Sequence, residues 1–154
     1  MLLRLKGDNM NTKLELFGWK FSFDKNITQN YYENYSDLCK CESCQNFYKN
    51  INAVSDVIRN FIEQFGIDIN KPIELESIIA DKSKDIVEYT VYYAVNGNAT
   101  SLISNDILFG ESIVQIIPDE ISPNTYISKP YFVFAISNLW LPWTTDYNIN
   151  DIYD

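Results

Sequence analysis

The residues best suited to chemistry are three cysteines confined to six positions, Cys39, Cys41 and Cys44, in the run Cys-Lys-Cys-Glu-Ser-Cys. Thiolates spaced by one and two residues can converge on a single metal ion without closing a long loop, and soft sulfur ligands suit zinc. A structural zinc site takes four ligands, and the cysteines supply three. The fourth must come from oxygen or from another chain, because the sequence contains no histidine. Candidates are Asp37, Glu42, a distant carboxylate, water, or a cysteine of a second copy. The same residues offer a redox chemistry. Cys41 and Cys44 bracket a Cys-Glu-Ser-Cys dithiol at the start of a helical pattern, where the helix dipole lowers the pKa of an exposed thiol. No βαβ pattern precedes it, so the thioredoxin-like context is missing. The third reading involves no chemistry, with the cysteines packing as small apolar side chains where a helix begins. The sequence leaves all three open.

Other constellations are weaker. Without histidine there is no Ser-His or Cys-His pair, no HExxH helix and no switch centred near pH 6.5. Five glycines, at 7, 18, 66, 97 and 110, form no phosphate-binding loop. Asp146, Asn148, Asn150 and Asp151 resemble the opening of a calcium loop, but Asp151 occupies the position where glycine makes the sharp turn, so a solvated acidic tail is expected instead. The pairs Asp119/Glu120 and Asp106/Glu111 read as surface acids rather than glycosidase carboxylates. Trp19, Trp140, Pro142 and Trp143 could line a pocket, though aromatics more often fill cores. No catalytic residue and no organic cofactor emerges, which leans the reading away from an enzyme.

Elements must hold the cysteines in place. Residues 14–23 put Phe17, Trp19, Phe21 and Phe23 on one parity, which predicts a strand with an aromatic face. Residues 24–37 are polar and Asn-rich and predict a loop leading to the cysteines. From Phe47 the period changes, with Ile51, Val54, Ile58, Phe61, Ile62 and Phe65 forming an apolar helical stripe that Gly66 terminates. Asn52 and Ser55 are natural N-caps and predict a break in that helix. Strands follow at 73–79 and 87–95. Asn96-Gly97 predicts a type I′ hairpin turn into a partner at 99–103. Further strands are expected at 112–117 and 131–140. The order predicts an α+β fold, an antiparallel sheet with one or two helices (about 44–65) packed on one face. One domain over residues 13–145 is expected, with residues 1–12 a possible flexible extension and 146–154 an acidic tail.

Charge bounds the partners. The 154 residues carry 12 Lys plus Arg against 21 Asp plus Glu, a net charge of −9. That balance excludes recruitment by nucleic acid or anionic membrane and suits a protein partner with a basic surface. It says nothing of oligomeric state. No apolar run approaches the roughly 20 residues needed to span a bilayer, and the MLLRLKG start is too short for a signal-peptide core. A cytoplasmic location is expected. The bias to Ile, Asn, Tyr and Phe fits AT-rich bacterial coding.

Three segments together resemble an uncharacterised family of small bacterial proteins. They are the CxCxxC-x-N-F element from Cys39 through Asn46 and Phe47, a GID turn at Gly66, Ile67 and Asp68 followed by Lys71-Pro72, and Leu141-Pro142-Trp143. The resemblance implies a bacterial globular domain and gives the cysteine cluster weight as a shared site, but it implies no reaction. The function expected from the sequence is a non-enzymatic cytoplasmic accessory or protein-interaction domain. The alternative is a zinc-binding or redox-active thiol protein acting through Cys39, Cys41 and Cys44.

Overall fold

The computed structural model describes residues 12–54, 56–103, 105–118 and 126–153. In chain order it contains β1 (Thr12–Leu16), β2 (Trp19–Phe23), α1 (Lys25–Asn34), α2 (Glu42–Asn50), a 3-10 turn (Ile51–Ala53) and α3 (Asp56–Glu63). After these come β3 (Glu74–Asp81), a second 3-10 turn (Lys82–Lys84), β4 (Ile86–Ser101), β5 (Ile107–Phe109), β6 (Ser112–Pro118), β7 (Tyr131–Pro142) and α4 (Ile149–Ile152). All pairings are antiparallel, so the chain has the expected α+β fold. The seven-stranded sheet runs β1-β2-β4-β7-β6-β5, and β3 also pairs with β4.

Strand β4 organises the sheet because it is long enough to serve two neighbours on one edge. Its residues 86–92 pair with β3 and its residues 97–101 with β2, while β7 lines the other edge. Val87, Tyr89, Val91, Tyr93 and Val95 are all fully buried on the helix-facing side, as their alternation requires. A bulge in β7 opposite Tyr89 and Val91, with Asn138 at φ 57°, shifts the buried parity from Phe132, Phe134 and Ile136 to Leu139 and Leu141. Phe21, Phe61, Phe65 and Phe134 meet edge-on or tilted, with ring centroids 5.0–5.9 Å apart, and join α3 and the turn after it to the sheet.

Three expectations are corrected. Residues 14–23 are two strands rather than one: Phe17 (φ 54°) and Gly18 (φ 81°) make a two-residue hairpin turn, leaving Phe17 exposed while Phe21 and Phe23 are buried. The expected loop over 24–37 contains α1. Asp24 caps it by accepting from the Ile27 N–H at 2.9 Å, and the buried Tyr32 hydroxyl bonds both the N–H and the carbonyl of Ala94. Asn96-Gly97 is not a turn, and residues 99–103 are not a separate partner, because β4 runs straight through to Ser101. Gly97 (φ 143°) lies against β2 so closely that a Cβ there would sit 2.2 Å from the Ser22 carbonyl oxygen. The pair therefore marks the point where β4 changes neighbours. In the segment expected as an acidic tail, the acids Asp146 and Asp151 are exposed and Ile149 is buried in the main core.

The helical break is as expected, α2 and α3 being separated by the 3-10 turn, and Gly66 takes φ 95° after α3. Residues 1–11 of the expected extension and the pair Asp119/Glu120 lie outside the described residues. Among the described residues no helix is long and apolar enough to cross a membrane.

Candidate metal centre

The sulfurs of Cys39, Cys41 and Cys44 lie within 4.8 Å of one another, and none is in a disulfide. Two features of the local chain bring them together. Cys41 is the N-cap of α2, its carbonyl accepting from the Gln45 N–H at 2.9 Å, so Cys44 falls in the first turn and points into the protein. Cys39 precedes the helix on an irregular segment that doubles back, with the Cys41 N–H directed at its sulfur at 3.5 Å. The Tyr48 hydroxyl donates to the Cys39 carbonyl at 2.8 Å and pins that segment to the helix one turn beyond Cys44.

The three thiols are electrostatically unequal. Cys39 is exposed, and hydrogen bonding from the Cys41 N–H, aided by the Cys41 and Cys44 thiols, holds its pKa below the ordinary thiol range. Cys44 is pushed well above that range, first by burial and then by its two thiol neighbours. Tyr48 is also raised, by burial and by the adjacent cysteines. The free cluster therefore holds a proton on its inner sulfur at neutral pH.

Helix α2 is locked behind the cluster by Asn46, which is fully buried. Its amide nitrogen donates to the Pro142 carbonyl and to the Tyr89 hydroxyl, both at 3.0 Å, and its oxygen accepts from the Thr144 N–H at 2.8 Å. Tyr89 in turn donates to the Ser43 carbonyl at 2.8 Å, between the cysteines. The Asn-Phe and Leu-Pro-Trp segments, distant in sequence, thus meet through one side chain. Lys71 reaches the Tyr32 carbonyl at 2.7 Å, and its neighbour Pro72 lines the cysteine cavity.

That cavity measures 320 Å³ and is bordered by all three cysteines. Of the expected fourth ligands, Asp37 lines it and Glu42 does not; Glu74 of β3 is the other carboxylate in its lining. Among the described residues no carboxylate joins the sulfur group itself, which is three cysteines alone. Nearby, Ser43, Ser77 and Tyr153 hydroxyls form a closed triangle with edges of 2.5, 2.8 and 2.8 Å. Sequence reasoning missed this triangle because it joins α2, β3 and the segment after α4, and no local pattern marks it.

The remaining sequence candidates have structural roles. Asn148 caps α4 by accepting from the Asn150 N–H at 2.8 Å. Trp143 is buried and donates to the Tyr147 carbonyl, Trp19 donates to the Asn105 carbonyl, and exposed Trp140 donates to Glu88. These tryptophans do not share a pocket with the cysteines. Comparison of the chain with protein-family models, with curated proteins and with solved structures returned no match.

Proposed function

We propose that the chain is a non-enzymatic bacterial accessory domain of the cytoplasm that binds one zinc ion through Cys39, Cys41 and Cys44. The observation that carries this reading is the convergence of three unpaired sulfurs within 4.8 Å. Tetrahedral zinc with Zn–S bonds near 2.3 Å places its sulfurs about 3.8 Å apart, so the cluster needs to tighten by about 1 Å at most. Cys39 and Cys41 are exposed and have room to make that adjustment. Free thiols in such proximity also suit a reducing compartment. The net charge of −9 suits a basic protein partner.

Competition against a chromophoric chelator tests the reading. Tight 1:1 zinc binding is expected, with Cys44→Ser or Cys39→Ser weakening it by about 100-fold or more, since each removes one of three anionic ligands. Binding that survives both substitutions would reject it.

A further inference from the structure

Three sulfurs leave a fourth position on zinc, and the cavity beside it has a one-sided chemistry. Its charged lining residues apart from the cysteines are Asp37 and Glu74, both exposed, and its lining includes no lysine or arginine. Zinc with three thiolates carries a net charge of −1, so this opening is negative even when loaded. The Ser43-Ser77-Tyr153 triangle adds to that character. The contacts allow each hydroxyl to donate to the next around the triangle, and Ser43 and Ser77 also line the cavity, where their oxygens can accept. A ligand here meets acceptors and negative charge beside a metal that prefers sulfur. At 320 Å³ the space is at the small end of ligand pockets.

We infer that the fourth position takes a small thiol carrying an ammonium group, its sulfur on the metal and its ammonium facing Asp37 and Glu74. This rests on the zinc reading above. The exchange balances without any redox partner: the S–H bond gives its proton to solvent, a sulfur–metal bond forms, and the water it replaces leaves. The product is more negative by one charge, which the ammonium offsets.

The test uses the full chain loaded with cobalt(II), whose visible ligand-field bands report the fourth ligand. Cysteamine, 2-mercaptoethanol and 3-mercaptopropionate are titrated as cationic, neutral and anionic thiols of similar size. The quantity read is the ratio of the 3-mercaptopropionate to the cysteamine dissociation constant, compared between the wild type and the Asp37→Asn/Glu74→Gln double variant, so that the thiols' own acidities cancel. Two exposed carboxylates attracting one ligand and repelling the other make four weak charge interactions, and together they change that ratio by about tenfold. A fall of that size in the double variant is expected, as is a falling wild-type ratio as salt is raised, which tests the charges without mutation. A ratio indifferent to both mutation and salt overturns the inference. Cobalt bound 1:1 with bands unmoved by any thiol also overturns it, by showing the position closed by a protein group, and leaves the metal reading intact. No cobalt binding at all removes both.

Discussion

Asn46 holds the helix behind the cysteines, so Asn46→Ala tests the architecture of the site most sharply. The side chain is fully buried, and truncation strips partners from the Pro142 carbonyl, the Thr144 N–H and the Tyr89 hydroxyl. Tyr89 keeps its bond to the Ser43 carbonyl, and Pro142 and Thr144 are exposed enough to recruit water. Two backbone hydrogen bonds at about 1 kcal/mol each, plus the void left by the amide, give a loss of about 2–3 kcal/mol. For a chain of this length that corresponds to a fall in Tm of about 5–10 °C. Urea denaturation should show a lower midpoint with an unchanged slope. Asn50→Ala on the same helix removes only partly exposed contacts to Asn46 and Thr144, and should cost about 0.5 kcal/mol or less. If Asn46→Ala costs no more than Asn50→Ala, the claim that this amide anchors α2 to the end of β7 is refuted.

Gly97→Ala forces a Cβ against the Ser22 carbonyl oxygen and a side chain into positive φ, and should destabilise the fold by about 3 kcal/mol in urea denaturation. Gly110→Ala, where a Cβ meets nothing within 4 Å, should cost about 1 kcal/mol from positive φ alone. Tyr153→Phe opens the hydroxyl triangle and should lose about 1 kcal/mol, read from thermal denaturation. Zinc affinity should rise with pH: burial keeps Cys44 protonated in the free protein, so binding displaces at least one proton. Each unit of acidification below neutrality should then weaken binding about tenfold or more, checked by chelator competition across pH and by indicator-detected proton release.

Much of this architecture was legible because single residues answer to single periods. Val87, Tyr89, Val91, Tyr93 and Val95 alternate because one face of β4 is buried, and Ile58, Phe61 and Ile62 recur at helical spacing because α3 packs by one stripe. What stayed hidden depended on tertiary context. Helix α1 has only Thr28 and Tyr32 fully buried, too few to write a stripe, and it is held by hydrogen bonds to Ala94 and Asn96 on a strand over 60 positions away. Asn96-Gly97 carries ordinary turn chemistry, but its glycine is required by the approach of β2. Phe17 enters positive φ against the habit of its residue type, which concealed the first hairpin. At the site, the cysteine spacing made the cluster visible, whereas Glu74, Ser77 and Tyr153 arrive from distant elements.

Whether the three thiols form one metal centre is read from metal analysis combined with thiol titration on chain purified without chelator. Close to one zinc per chain is expected, with the thiols slow to react with a disulfide reagent until a strong chelator is added and then all three reacting. No bound metal, none taken up on adding zinc, and three thiols that titrate freely from the outset would contradict it.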